Sequence, residues 1–500
     1  MSLRHQTLHA LFWAAFSKYS ISGISFLTQL VLARLLTAEA FGVVAVISVV
    51  LTGMYIFPDL GLGKTIIARQ NVTNQALNAT FFLSMMMGTG LFGVMFFAAP
   101  LISVAFRADE MNALLRLASV RLLIASLGTV PTALLEKELR FKSLVWPRVA
   151  GKLVMSSTSV SMAALGLGAW SMVWGGLAES MVQTTLTWIA MPWRPATDFN
   201  LKIVKDLVSY GKHVIGISFG TFLHANLDTI LVGQALGMVA VGQYNLAFTL
   251  ANALPLLIMQ MAAPVLLPTF SQLQDDRRRL ASAHLRFVKY VLVIVTPMCV
   301  IVGLLAQEII LVLYGERWRG AIAPLIIFSL YALFRQVAAS NSPILMVTNK
   351  VKEFNLIVYL HLALFILLAF PAIWAGGLIG MGVLMVVLVI LSGFLALLVS
   401  SKALQNPLVH YARLAVLPVC AAIFSSLILL ASSKMLNLQV LDHSPQQMVS
   451  NVAIMTIKTA IFLVCYTVTL YMLDADVHSE IRANLTSLVH LSSLKGIFRG

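Results

Sequence analysis

Long apolar runs alternate with short polar segments along the whole chain, and this pattern predicts its class. The hydrocarbon core of a bilayer is about 30 Å thick, so a helix needs roughly 20 apolar residues to cross it. Runs of this kind lie near residues 11–35, 41–63, 78–105, 114–134, 144–166, 169–192, 211–234, 237–265, 287–313, 320–347, 354–374, 376–400, 414–432 and 451–473. The pattern predicts an all-α, polytopic membrane protein with about 14 transmembrane helices.

Basic residues between the runs predict the orientation. Lysine and arginine recur in every second connection, near residues 1–10, 64–69, 137–142, 194–212, 277–286, 350–352 and 402–413. Cytoplasmic loops carry an excess of these residues, so we expect both termini on the cytoplasmic side of the membrane. The longest basic connections, 194–210 and 271–286, are expected to form short helices along the lipid headgroups.

Composition agrees with this class and argues against others. Of the 500 residues, 59% are hydrophobic and 11% are charged, whereas soluble domains are about 25% charged. The net charge of +15 follows from the basic connections, and no basic stripe with interleaved aromatics indicates nucleic-acid binding. The three cysteines lie in apolar runs, and no nucleotide, metal or nucleophile motif is present. We therefore expect no enzyme activity, no cofactor, no metal and no nucleic-acid partner.

A repeat with a period of about 200 residues relates two parts of the chain. The segment ARLLTAEAFGVVAVISVVL begins at Ala33 and resembles GQALGMVAVGQYNLAFTLA, which begins at Gly233; Gly42 and Gly242 occupy the same place in each. Spans 1–6 then match spans 7–12 as a parallel repeat. We predict a six-helix lobe at 1–193, a cytoplasmic basic linker at 194–212, a pseudo-symmetric six-helix lobe at 213–400, two extra helices within 401–473, and a cytoplasmic tail at 474–500.

Several segments, in order along most of the chain, resemble polysaccharide transporters of the multidrug/oligosaccharidyl-lipid/polysaccharide flippase superfamily. Residues 2–46 combine a basic lead, an early tryptophan, and an acidic residue before Phe-Gly at the start of span 2. FPDLGLGKTIIARQ, NLDTILVGQALGMVAVGQYNLAFTL and VLLPTFSQLQDD are similar to further signatures of that family. The chain most resembles its fourteen-span, colanic-acid-exporter-like (Wzx-type) branch.

The resemblance implies a function. Proteins of this kind have two six-helix lobes around a central cavity that opens alternately to the two membrane faces. The implied cargo is an oligosaccharide linked through diphosphate to a polyprenol, for exopolysaccharide, capsule or O-antigen biosynthesis. A polysaccharide polymerase and export machinery are the implied protein partners. A multidrug exporter of the same superfamily and a cell-wall lipid precursor flippase are the alternatives, and a membrane enzyme is disfavoured because no large extramembrane loop is present.

Basic residues within the predicted spans are the candidate substrate-binding groups: Lys18, Arg121, Arg148, Lys152 and Arg335. A Lys or Arg at mid-membrane costs about 2.5–3.5 kcal/mol, so we expect these side chains to line a polar cavity and to bind an anion such as diphosphate. Arg148 and Lys152 are one turn apart and share a helical face. For Arg121 and Arg148, the alternative is that the side chain extends to the headgroups.

Three membrane-embedded carboxylates, Asp59, Glu179 and Asp228, are candidates for ion coupling or for contacts at the lobe interface. Embedded carboxylates often serve proton or sodium coupling. The alternative for Asp59 is a folding role, and for Asp228 a structural hydrogen bond. An ion pair between Arg335 and either Glu179 or Asp228 is the alternative to cavity lining by that arginine.

Overall fold

The computed structural model describes the main chain of residues 3–59, 63, 66–67, 72–198, 201–435 and 447–473, and the side chains of these residues except at 3–12, 14–15, 57–59, 141, 201–217 and 448. Within this part of the chain the regular structure is helical. The long helices are α1 (Leu3–Leu35), α2 (Ala38–Asp59), α3 (Asn74–Phe106), α4 (Glu110–Lys137), α5 (Phe141–Ala164), α6 (Ala169–Ala190), α7 (Leu201–Leu236), α8 (Met238–Gln272), α9 (Arg277–Leu304), α10 (Ile322–Ala339), α11 (351–376), α12 (378–404), α13 (Leu408–Met435) and α14 (Met448–Leu473).

Each of these 14 helices overlaps one predicted span, and the all-α polytopic fold is confirmed. Only helices and closed barrels satisfy every backbone polar group in lipid. The length of an apolar run is therefore a good predictor of a membrane-spanning helix. By length and composition, 9 helices of the described chain meet a stringent criterion for crossing a membrane, with Val351–Leu404 counted once. That segment contains two helices because Gly377 adopts a positive φ of 56° between them.

The region around α9 differs from the prediction in two ways. The helix begins at Arg277, ten residues before the predicted span, because the Asp276 side chain accepts hydrogen bonds from the main-chain nitrogens of Arg278 and Arg279 at 3.1 and 3.0 Å. It ends at Leu304, and short α, π and 3-10 turns fill residues 306–321. The expected separate headgroup helices are therefore wrong: residues 277–286 and 201–210 are the first turns of α9 and α7.

Contacts divide the chain into two compact units, Met1–Asn245 and Leu246–Gly500. In unit 1, α5 packs extensively on α6, α3 on α4, and α1 on α5. One of its apolar clusters joins the start of α3 to the ends of α4 and α6, with Phe81 and Leu135 buried at its centre. In unit 2, α10 packs along the segment that contains α11 and α12, α9 contacts α10 and α13, and α13 packs on α14.

The two glycines that mark the sequence repeat meet in unit 1, where the start of α2 crosses the start of α8. A methyl group on Gly42 would overlap the carbonyl group of Met238 and lie 3.1 Å from the Gly242 nitrogen. Reciprocally, a methyl group on Gly242 would overlap the carbonyl group of Ala38 and lie 3.2 Å from the Gly42 nitrogen. Equivalent positions of the repeat thus make equivalent contacts, and only glycine permits this approach of the two backbones.

Candidate functional site

A cavity of about 360 Å³ lies in unit 1 and is lined by residues of helices α1, α2, α5, α6, α7 and α8. Most of its polar lining is uncharged hydroxyl and amide groups, with Lys152 as the cation among the lining residues. The lining residues are Ser25, Thr28, Gln29, Leu32, Phe41, Val44, Ala45, Ser48, Val49, Thr52, Lys152, Met155, Met172, Asn226 and Asn245. Such a surface offers both donors and acceptors to a polyhydroxylated ligand, together with one positive charge.

Helix packing positions these polar groups. Thr28 on α1 donates through its hydroxyl to the hydroxyl of Ser156 on α5 at 2.6 Å, and the Ser156 hydroxyl donates to the main-chain oxygen of Lys152 at 2.8 Å. This chain of hydrogen bonds connects α1 with the turn of α5 that carries Lys152. The lysine is therefore placed at the cavity wall by a hydroxyl network within the membrane-spanning helices.

Lys152 forms an ion pair with Glu179, at 3.5 Å between Nζ and Oε1. The side chains are only 15% and 21% exposed, so the pair is shielded from solvent. The helices approach closely here because α5 carries Gly151, where a methyl group would lie 3.1 Å from the Glu179 carbonyl oxygen. Lys152 consequently enters the cavity with a counter-ion that the protein itself provides.

Arg121 lies on the neighbouring helix α4 and reaches the same region of α6. Its Nε donates to the hydroxyl of Ser180 at 3.1 Å, and its guanidinium packs where a side chain on Gly176 would stand, 2.8 Å from Nη1. The hydroxyl of Tyr55 on α2 lies within electrostatic range of both Arg121 and Glu179. Arg121, Lys152 and Glu179 thus form a mixed-charge cluster that carries one net positive charge.

Arg148 does not share an anion with Lys152, although both lie on one face of α5. Its Nη2 bonds Oε1 of Glu136 at 3.0 Å, and these side chains are 37% and 33% exposed. The sequence reasoning did not single out Glu136. Glu136 lies near the end of α4, and its contact with Arg148 depends on how α4 and α5 pack, which the sequence does not give.

The remaining candidate on α1, Lys18, is exposed. It lies seven residues before Ser25, which lines the cavity, so the two positions share a face of α1 about 10 Å apart along the axis. Ser17 beside it is buried. Lys18 is therefore outside the immediate cavity lining and on the same side of the helix as that lining.

The other two candidate carboxylates, Asp59 and Asp228, lie in different surroundings. Asp59 is the last residue of α2, and its side chain lies outside the described residues. Asp228 is buried, 7% exposed, and accepts hydrogen bonds from the hydroxyl of Tyr244 and the nitrogen of Thr229, each at 2.7 Å. Asp228 thereby joins α7 to α8 across the turn at Gly237.

In unit 2, Arg335 lies in α10 and bonds an amide. Its Nη1 donates to Oδ1 of Asn252 at 3.3 Å, and its Cζ lies 6.0 Å from the ring centroid of Tyr331. Neither of these partners is an acidic residue. Anion binding by Arg335 stays a prediction.

A buried ion pair in unit 2 escaped the sequence reasoning. Lys458 of α14 pairs with Glu308, in the short turn after α9, at 2.9 Å, and the side chains are 10% and 19% exposed. Lys458 is a lone cation within the last apolar run, which is the same signal that drew attention to Lys152. Among the described residues, no three His, Cys, Asp or Glu side chains are grouped so as to hold a metal ion.

Known proteins resemble this chain in sequence. The lipopolysaccharide biosynthesis protein WzxC of Escherichia coli (strain K12) is 25% identical over 353 residues, which cover 70% of this chain and 72% of WzxC. The succinoglycan biosynthesis transport protein ExoT of Rhizobium meliloti (strain 1021) is 28% identical over 314 residues, which cover 62% of this chain and 63% of ExoT.

The fold is shared with a solved flippase. The lipid II flippase MurJ, in an inward closed conformation, superposes with a TM-score of 0.69 at 13% identity, over 93% of this chain and 99% of MurJ. This likeness shows a common fold, in agreement with the superfamily resemblance of the sequence. The family described as "Polysaccharide biosynthesis protein" matches residues 31–323, more than half of the chain. The chain belongs to this family of polysaccharide biosynthesis proteins.

Proposed function

We propose that the protein is a flippase that moves polyprenyl-diphosphate-linked oligosaccharide units across the bacterial cytoplasmic membrane by alternating access. The product serves exopolysaccharide, capsule or O-antigen biosynthesis. Membership of the polysaccharide biosynthesis family and the flippase fold support this proposal. Both termini lie in the cytoplasm, and a polysaccharide polymerase receives the cargo on the other side of the membrane.

The observation that carries the proposal is the cavity with Lys152 in its wall. Amide and hydroxyl groups such as Gln29, Asn226 and Asn245 suit the hydroxyls of sugars, and the ammonium group suits a phosphate oxygen. A multidrug exporter for cationic drugs needs the opposite charge in its cavity. The cavity chemistry therefore favours a neutral, polar head with an anionic link.

Glu179 acts as an internal counter-ion in this proposal. A lysine without an anion in a low-dielectric site is costly, and a carboxylate partner offsets part of that cost. When the diphosphate binds, it replaces Glu179 as the partner of Lys152, and the carboxylate turns to Arg121. When the cargo leaves, Glu179 returns to Lys152 and the empty cavity is again neutralised.

Three variants test this role in a host strain lacking its own copy of the protein. Lys152→Ala should reduce polymer export by about ten-fold or more, since a charge-assisted hydrogen bond contributes roughly 1.5–3 kcal/mol. Glu179→Gln should retain more export, because the lysine remains available. The double variant Lys152→Ala/Glu179→Gln should be as defective as Lys152→Ala alone.

The double variant separates anion binding from a structural ion pair. If Lys152 serves only to neutralise Glu179, removing both charges should restore export, and that outcome would contradict the proposal. Arg140→Ala is the matched control, because Arg140 pairs with Glu138 at an exposed site of the same unit. Protein levels in the membrane fraction confirm insertion of each variant. Drug sensitivity of the deletion strain distinguishes a multidrug exporter, which should change sensitivity without changing polymer export.

A further inference from the structure

A concentration of basic residues outside the cavity of unit 1 lies at one end of unit 2. Three connections meet there: those between α8 and α9, between α10 and α11, and between α12 and α13. Two hollows, of about 590 and 610 Å³, open between these connections. They belong to the set of basic connections that the charge asymmetry assigns to the cytoplasm, and the transport cavity of unit 1 does not include them.

The first hollow is built for an anion. Arg278 from the first turn of α9 and His410 and Arg413 from the start of α13 line it, together with Ser282, Gln405 and Asn406. None of its described lining residues is acidic. Its chemistry is that of a phosphate site with two guanidinium groups, whose planar donors suit phosphate oxygens.

An amide side chain, that of Asn406, lies in the wall of this hollow. The oxygen of its side chain lies 2.7 Å from Nδ1 of His410, and the same amide group hydrogen-bonds the hydroxyl of Tyr411. Asn406 therefore holds His410 at the rim of the hollow, beside the two arginines.

The second hollow adjoins the first through consecutive residues of α9, since Arg277 lines one and Arg278 the other. Lys350 and Lys402 line the second hollow, with Asp275 as its acidic residue. Lys350 pairs with Glu353 at 2.8 Å at an exposed site. The second hollow therefore extends the positive field around the first.

An apolar path leads from the first hollow along α13. Val409, Val416, Ile423 and Leu427 are 56%, 59%, 56% and 60% exposed. Their spacing places them with Arg413 on one face of the helix. A ligand that binds Arg413 through its charged head therefore finds an exposed apolar strip next to that head.

We propose that this end of unit 2 binds the phosphate head of an anionic phospholipid, with Arg278 and Arg413 as its ligands and the acyl chains along the exposed face of α13. Basic pockets between membrane helices on the cytoplasmic side are suited to such heads. The apolar strip distinguishes a lipid from a free phosphate, which would use only the hollow. The site is separate from the cargo cavity, so the lipid is a bound component of unit 2 and not the transported molecule.

The test uses the purified full-length protein in mild neutral detergent. Binding of phosphatidylglycerol is compared with that of phosphatidylcholine with the same acyl chains, by lipid retained after gel filtration. The wild type should prefer phosphatidylglycerol. Arg278→Ala/Arg413→Ala should bind it roughly 30-fold more weakly, given the contribution of each surface cation. The control, Arg107→Ala/Arg317→Ala, removes the same charge from other connections and should bind as the wild type does.

Several outcomes would overturn the proposal. Equal loss of phosphatidylglycerol in the two double variants would mean that only overall charge matters. Full retention in Arg278→Ala/Arg413→Ala would mean that these arginines are not the ligands. Displacement of the lipid by millimolar inorganic phosphate would mean that the hollow takes free phosphate. If the alanine variant fails to fold, Arg278→Lys/Arg413→Lys replaces it. This variant keeps both positive charges but loses the planar pair of donors of each guanidinium group. Its affinity for phosphatidylglycerol should therefore be lower than that of the wild type but still measurable. An unchanged affinity would also contradict the assigned ligands.

Discussion

Single residues with a full charge decide the chemistry inside this protein, and most of them have a specific partner. Lys152 and Lys458 each have a partly buried carboxylate within 3.5 Å, whereas Arg335 has an amide and an aromatic ring. The sequence indicated which cations the membrane disfavours, but it did not supply their partners. Glu308 is 150 residues from Lys458 in the chain, and only helix packing brings the two together.

The pair of Lys458 and Glu308 predicts a non-additive effect on stability. Lys458→Met should lower the stability of unit 2 by about 3 kcal/mol, because it leaves Glu308 buried without its counter-ion. Lys458→Met/Glu308→Gln should recover most of that loss. The measurement is the apparent melting temperature in detergent, and Lys350→Met, at an exposed pair in the same unit, is the control. Equal melting temperatures for the single and double variants would show that the pair does not stabilise unit 2.

Arg335 provides a second prediction at this scale. Arg335→Ala should reduce polymer export by about ten-fold, in the range expected for a lost charge-assisted bond, while Arg335→Lys keeps more of it. Asn252→Ala should reduce export by less, because the guanidinium charge remains. If Asn252→Ala proves as harmful as Arg335→Ala, the hydrogen bond matters more than the charge, and Arg335 has a structural role.

At the scale of helices, apolar length was a reliable guide and polar helix ends were not. A long helix appears in each of the 14 predicted spans, although some boundaries differ, because lipid excludes unpaired backbone groups. The start of α9 was missed since its first turns, from Arg277, are basic and resemble a loop. The candidate site was predicted in part: Lys152 lines a cavity, but its pairing with Glu179 depends on the packing of α5 on α6.

The crossing of α2 and α8 predicts a strong size limit at two positions. Gly42→Val and Gly242→Val should each destabilise the folded protein by about 1–3 kcal/mol or more, because the added side chain meets backbone that lacks room to move. Gly90→Val is the matched control, since a methyl group at Gly90, also in a membrane-spanning helix, meets nothing within 4 Å. The melting temperatures in detergent give the result, and a drop as large in Gly90→Val would contradict the steric explanation.

For the whole molecule, the charge asymmetry predicts which loops face the cytoplasm. In a variant whose three native cysteines are changed to alanine, Arg107→Cys and Arg317→Cys should react with a membrane-impermeant thiol reagent in intact cells. Arg140→Cys and Lys352→Cys should react only after the membrane is opened. Labelling of Arg140→Cys in intact cells would reverse the proposed orientation, and with it the direction assigned to transport.

The reciprocal contact of Gly42 and Gly242 also has a consequence for ancestry. In a contact between two identical chains related by a two-fold axis, residue i of one chain meets residue j of the other, and residue j meets residue i. The starts of α2 and α8 make such a reciprocal contact within one chain. A half-length chain carrying this segment would present the same self-complementary surface to a second copy of itself. Duplication and fusion of its gene would then convert a dimer contact into an internal one without inventing a new surface.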